Sequence, residues 1–473
     1  MQNAMVMQSI NPATEEILET FEEFSSDQVD AAIQQVYDRQ KQWRTTSFEE
    51  RAAGLRALAG VLRADKSRFA GTITAEMGKP IVEAEAEVEK CAWNCEFYAE
   101  NARRFLTPEY IDIGASESYV AFEPLGVVLA IMPWNFPFWQ VIRFLAPALM
   151  AGNTAVLKHA SNVPRSALAI EEAVRRAGLP DGTFRALLVP GGSVEPLIGD
   201  PRISAVTLTG SSEVGERVAS AAGRHLKKQV LELGGSDPFV VLADADLDAA
   251  AKTAARARNQ NSGQSCIASK RFIVEEGVAD QFVEKFADAV KALNVGDPTA
   301  RETNVGPLAR GDLRESLVTQ VDASLKQGAH AIVGGTVLDR RGYFYAPTVL
   351  DGVSLDMPAF REETFGPVAA IVRAKDPDEA VRLANDTEYG LGAAIWTGDL
   401  ERGKQLAGRI EAGAVFVNGL VASDPRMPFG GVKRSGYGRE LGEWGIREFT
   451  NIQTIVISAA GGPSVQVKPA ASE

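Results

Sequence analysis

Residues 259–270 read NQNSGQSCIASK, and they hold Cys266, one of three cysteines in 473 residues. A lone thiol either packs as a small hydrophobe or reacts. Upstream, DADLDAAAKTAARARNQN begins acidic and ends basic, the charge order that suits a helix macrodipole. Downstream, KRFIVEE is strand-like. Gly263 permits a turn between the two, so Cys266 is expected at a junction within reach of a small molecule. Glu232, in VLELGGSDP, is either an inward carboxylate with a raised pKa, fit for a base, or a solvated strand end. Asn135, in MPWNFPFW, either caps its own turn or donates to a developing negative charge. The run TLTGSSEVGERVA puts Gly210 and Gly215 between a strand and a helix, where free N–H groups can receive a phosphate. It is not a G-x-G-x-x-G fingerprint, and a tight turn explains the glycines as well. Lys158 ends the strand-like TAVLK and alone reads as a solvated strand end.

These residues need a scaffold. The first hundred residues are helical in pattern: Val29, Ile33 and Val36 recur at helix spacing, and Ser47 with Glu50 forms a capping-box pair. SYVAFEPLGVVLAIMPWNFP predicts a ribbon that feeds a buried strand. From about residue 150, TAVLK, SALAIEEAVRRAG, FRALLV, ISAVTLTG and SEVGERVASAAG alternate strand and helix, and a second such stretch begins near PFVVLADADL. Alternation of this kind gives an α/β fold with largely parallel sheets covered by helices. The tail AAGGPSVQVKPAASE is expected to be mobile.

At 473 residues the chain exceeds one ordinary core, so two or three domains are expected. A formal net charge of −13 without a basic arm argues against nucleic acid and against an anionic membrane surface. No basic region followed by an apolar run opens the chain and no stretch is long enough to span a bilayer, which predicts a cytoplasmic protein. Cys91 and Cys95, four apart on one helix face, read as packing, and without nearby histidine or further cysteine they make no metal site. His159, His225 and His330 stand in no partner motif, so a papain-like thiol hydrolase is disfavoured.

In order along the chain, PWNFP, VLKHAS, TGSSEVG, LELGG, GQSC, EETFGPV and PFGGVKRSGYGRELGEWG resemble the aldehyde dehydrogenase superfamily over nearly the whole length. The resemblance implies a Rossmann-like cofactor domain over 1–105 and 125–233, an α/β catalytic domain over 234–445, and a small β oligomerisation element over 106–124 and 446–473. It implies Cys266 as nucleophile, Glu232 as general base, and the Asn135 amide beside the Cys266 N–H as oxyanion donors. Trp134, Lys158, Ser161, Gly210, Ser211, Glu363 and Phe365 would hold the nicotinamide cofactor. Glu440 matches a family glutamate implicated in proton relay, although capping or ion pairing explains it equally. A noncatalytic protein of the same fold is disfavoured because Cys266 and Glu232 are both present.

Longer matches, CIASKRFIV and ASDPRMPFGGVKRSGYGREL, resemble the bacterial succinate-semialdehyde dehydrogenase branch. There Arg143, eight residues after Asn135, and Ser423 would hold the substrate's distal carboxylate; an ion pair is the other reading of Arg143. Two departures stand out. The second carboxylate-binding arginine of some relatives, six residues before the nucleophile, is Gln260, and the redox-switch cysteine two residues past it is Ala268. Glutarate semialdehyde or a neutral aliphatic aldehyde therefore stays open as a substrate. Where NAD-preferring relatives carry a glutamate three residues after the cofactor lysine, this chain has Ser161, so NADP is favoured, with NAD possible. A homodimer or homotetramer is expected, because the apolar strand TNIQTIVIS needs covering.

Overall fold

The structure is a computed structural model, and it describes residues 6–459. Most of the tail expected to be mobile, 460–473, lies outside them. In the helical first hundred residues the helix Phe48–Ala64 begins at Ser47, whose hydroxyl accepts from Glu50 N while the Glu50 carboxylate accepts from Ser47 N at 2.7 Å. This reciprocal cap satisfies two donors that a helix start leaves orphaned. The longest helix, Ile81–Phe105, buries Val88, Cys91, Cys95 and Tyr98 in the core, so the two thiols do pack.

Two sheets carry the molecule. The first has six strands in the order Gly436–Tyr437, Lys228–Glu232, Ile203–Thr209, Val127–Met132, Thr154–His159, Phe184–Ala186. All its pairings are parallel except that of the short edge strand Gly436–Tyr437. Val127–Met132 and Thr154–His159 are buried throughout, as both faces of a parallel sheet under helices require. The second sheet has seven strands in the order His330–Val333, Thr348–Asp351, Val368–Ala374, Ser269–Glu275, Asp237–Val241, Gly392–Trp396, Ala414–Val417. It is parallel apart from His330–Val333.

The strand Glu117–Pro124 pairs antiparallel with Thr450–Ile457 along its whole length and forms a three-stranded ribbon with Glu109–Tyr110. After the second sheet the chain returns to the first. Gly436–Tyr437 pairs with Leu231 and Glu232, and Phe429, Leu441 and Ile446 join the core that includes Val128 and Ala130. Among the described residues no helix is long and apolar enough to cross a membrane.

Candidate active site

In the first sheet the chain runs outward from Val127–Met132 to Phe184–Ala186, then restarts on the other side at Ile203–Thr209. The carboxyl ends of Val127–Met132 and Ile203–Thr209 therefore frame a topological switch point, where a crevice opens outside a parallel sheet. Trp134 and Asn135 follow one of these strands, Gly210 and Ser211 the other; Glu232 ends the next strand and Lys158 lies near the end of Thr154–His159. His159 helps fix this rim. Its Nε2–H donates to the Pro137 carbonyl at 2.9 Å and its Nδ1 accepts from Ala160 N, while burial lowers its pKa to about 4, so the ring is neutral.

The second sheet delivers Cys266. Helix Leu247–Asn259 starts at Asp246, which caps two backbone N–H groups, and ends in a turn where Asn261, Ser262 and Gly263 all have positive φ, at 56°, 54° and 75°. Gly263 supplies what the sequence suggested; the left-handed Asn261 and Ser262 are strained, and both are clamped. Asn261 Nδ2 donates to the Asn135 and Gln264 carbonyls at 2.8 and 3.0 Å, and Ser262 Oγ accepts from Gly306 N. Beyond the turn, buried Lys270 donates to the carbonyls of Ser265, Cys266 and Ala268 at 2.9 to 3.1 Å. Cys266 is partly exposed, lies at the junction, and lines a cavity of about 310 Å³. Burial pushes its thiol up to about 12, opposed by the charges of Arg143 and Lys270.

Glu232 is 2% exposed, and neither carboxylate oxygen has a hydrogen-bond partner among the described residues. The inward reading is the one observed. Burial, helped by the negative charge of Glu440, holds its pKa well above the carboxylate range, and Arg143 and Arg439 oppose the rise. Glu440 is itself raised by burial and forms a buried ion pair with Nε of Arg143, whose Nη2 also donates to Thr209 Oγ1 at 3.3 Å. Asn135 is buried, and its Nδ2 donates to the Gln264 carbonyl at 3.1 Å, which ties it to the nucleophile turn rather than to its own.

On the other side of the crevice, Ser211 caps helix Ser212–Arg224 by accepting from Val214 N. Gly215 is not at the junction, as the sequence suggested, but inside this helix; a Cβ there would sit 2.5 Å from Leu233 Cδ1, so its role is close packing. Lys158 and exposed Ser161 line a cavity of about 500 Å³ with Asn162, Arg310 and Glu23. Trp134 meets Phe365 edge to face at 5.6 Å, and Glu363 Oε1 accepts from Gly235 N at 3.1 Å. A helix N-terminus, a lysine and an exposed hydroxyl on one rim fit a phosphorylated dinucleotide. Among the described residues no cluster of ligating side chains could hold a metal.

The Cys266 cavity also holds Arg143, Ser423 and Gln260. Four residues around it carried no sequence signal of their own. Lys270 and Asn261 shape the nucleophile turn. Glu87, ion-paired with Lys79, accepts from Phe138 N and Trp139 N and so orients the helix that carries Arg143. Lys90 donates to Ser423 Oγ at 2.7 Å. Burial of a polar group that pairs with distant backbone is a tertiary property, and only the run of charged residues in EAEAEVEK hinted at it.

A model of the aldehyde dehydrogenase family matches residues 1–455. The chain is 50% identical over 472 residues to the succinate-semialdehyde dehydrogenase [NADP(+)] of Mycobacterium avium, covering 98% of this chain and 100% of that one. It is 39% identical to a crystal structure of succinic semialdehyde dehydrogenase from Streptococcus pyogenes in complex with NADP+, with a TM-score of 0.94 over 96% of this chain and 100% of that one. Betaine aldehyde dehydrogenase from Staphylococcus aureus, solved with NAD+, superposes nearly as well, with a TM-score of 0.92 at 29% identity over 96% of this chain and 92% of that one. Backbone likeness alone therefore does not select the aldehyde.

Proposed function

The chain belongs to the aldehyde dehydrogenase family, and on that premise we propose that it oxidises succinate semialdehyde to succinate with NADP, through a thioester on Cys266. The observation that supports this reading best is the convergence, in one cavity, of a partly exposed thiol with Arg143 and Ser423. Relatives of about half-identical sequence carry the same activity in their names.

The chemistry follows from the groups in place. The partly exposed Cys266 thiol gives up its proton to water, and its sulfur bonds to the aldehyde carbon as the C=O π pair moves to the oxygen to leave an oxyanion. Two donors serve that oxygen: the Cys266 backbone N–H and the second hydrogen of Asn135 Nδ2, whose first is committed to Gln264. Fixed donors of this kind in a dry site are worth about 3 to 4 kcal/mol each. A nicotinamide held there would supply the acceptor for the hydride that leaves the substrate carbon. Trp134 and Phe365, with Glu363, form the wall that would seat the ring; Lys158, Ser161, Gly210 and Ser211 would seat the adenosine and phosphates. Glu232 then takes a proton from water, whose oxygen bonds to the acyl carbon as the C–S bond breaks. A buried carboxylate with empty acceptor sites suits that step. On this assignment the first sheet would carry the cofactor and the second the nucleophile.

Initial rates with succinate semialdehyde and with butanal, which has the same chain length without the charge, test the substrate. A preference in kcat/KM of about 10-fold or more for the acid is expected, because the neutral analogue cannot form a charge-assisted hydrogen bond with the cavity cations. Equal values would remove the substrate assignment and leave the reaction class standing.

A further inference from the structure

The proposed substrate carries a carboxylate, and the cavity must compensate its charge. Arg143 is the expected partner, yet its guanidinium is already paired with Glu440 and hydrogen-bonded to Thr209. A second cation lines the same cavity. Val82 and Glu83, Ala86 and Glu87, then Lys90 fall at helical spacing, so one face of helix Ile81–Phe105 forms a wall of the pocket, and Lys90 lies on it.

The Lys90 ammonium is half-buried and forms no ion pair among the described residues. The carboxylates near it are already engaged. Glu87 on its own helix pairs with Lys79, and Asp424 accepts two hydrogen bonds from the Arg426 guanidinium. What holds Lys90 is neutral: Ser423 Oγ at 2.7 Å and the Trp139 ring, with Nζ 4.3 Å from its centroid. A partly desolvated cation without a counter-charge is costly unless a ligand supplies one. Because Ser423 Oγ accepts from Lys90, its own hydrogen is free to point at the same ligand oxygen.

We propose that Lys90, fixed by Ser423 and Trp139, is a second cation that selects the distal carboxylate of the substrate, beside an Arg143 that also holds Glu440. The assignment rests on the substrate reading above and deepens it. It also accounts for Gln260: the second cation that some relatives place before the nucleophile is supplied here from a different helix. The electrostatics agree. Burial, then the charge of Arg143 on helix Trp139–Met150, lowers Lys90 to about 8, against the opposing pull of Cys91 and Glu87 on its own helix and Asp424 on the facing loop. A bound carboxylate would favour the charged amine. The free enzyme therefore loses this attraction as pH rises through about 8, and KM for succinate semialdehyde should rise there.

The test is the ratio of kcat/KM for succinate semialdehyde over butanal in wild type, Lys90→Met and Lys90→Arg. The ratio should fall about 10-fold or more in Lys90→Met, through a higher KM for the acid, and recover in Lys90→Arg to within about 3-fold of wild type. A wild-type ratio kept by Lys90→Met overturns the role of Lys90 while the substrate reading stands; a wild-type ratio near one overturns both. If Lys90→Met does not fold, the pH profile of Lys90→Arg decides. A KM that stays flat across pH 8, where wild type rises, supports the assignment, and parallel profiles overturn it.

Discussion

Cys266 and Glu232 are each held in the form least suited to act at once, a protonated thiol and a carboxylate that binds its proton tightly, both because burial penalises charge. The proposed mechanism assigns separate steps to the two residues. Cys266→Ala should abolish oxidation, whereas Glu232→Gln should give a burst of about one reduced cofactor per site and then stall as the thioester. Rapid-mixing absorbance measures both, and full steady-state turnover in either variant contradicts the mechanism. On the proposed mechanism Glu232 must be deprotonated to act as the base, so deacylation should speed up as pH rises toward its elevated pKa, and Glu232→Gln should lose that dependence. On the cofactor side, Ser161→Glu puts a carboxylate beside Lys158 where a 2′-phosphate would sit. The ratio of kcat/KM should move toward NAD by about 10-fold or more, since a like-charge clash in a partly dry site exceeds about 1.4 kcal/mol. A ratio unmoved by the change would mean that other residues read the 2′ position. Residues embedded in long motifs could be read from the sequence; Lys90 could not, because a lysine among glutamates on a helix looks solvated until its tertiary neighbours are known.

At the level of elements, the alternation of strand and helix from residue 150 onward was legible because each piece has its own period and its own turn residues. Two features were not. Gly215 sits inside a helix, since Leu233 packs where a Cβ would be. The return of the chain to the first sheet around Gly436 depends on a two-residue strand too short to show any pattern. The turn before Cys266 shows why local signals fall short there: its left-handed residues are held by distant partners, Asn261 by the Asn135 carbonyl and Ser262 by Gly306 N, and Lys270 holds the segment that follows. Lys270 is fully buried and spends its three donors on carbonyls flanking Cys266, with Glu363 3.8 Å away. Lys270→Met should leave these acceptors unpaired and cost about 2 to 5 kcal/mol of stability. A lower thermal midpoint together with a smaller cofactor burst is expected. A variant with wild-type stability and burst would show that the turn holds its shape without the lysine.

Across the whole molecule, one surface is left unfinished. Among the described residues the strand Thr450–Ile457 pairs with Glu117–Pro124 on one side only, and its outer edge is open along eight residues. Ile452 is 63% exposed, and Val456, four residues on and hence on the same face, is 41% exposed. Ile457 and Tyr110 add to the apolar exposure of the same ribbon. A long, uncharged edge invites pairing with another chain, and proteins that keep such an edge cover it. A net charge of −13 keeps separate copies apart at long range but is screened within about 10 Å at ordinary salt, so it does not oppose a specific contact at this edge. We therefore expect a homodimer or homotetramer in which the ribbon is an interface. Light scattering on the wild type should give a multiple of the 50.7 kDa chain mass, and Ile452→Lys with Val456→Lys should lower it by at least one step of assembly. Two lysines on the shared face would meet like charges from the partner strand and remove the apolar burial that drives association. A wild type that weighs 50.7 kDa at micromolar concentration, or a doubly substituted chain that keeps the wild-type mass, would place the interface elsewhere or remove it.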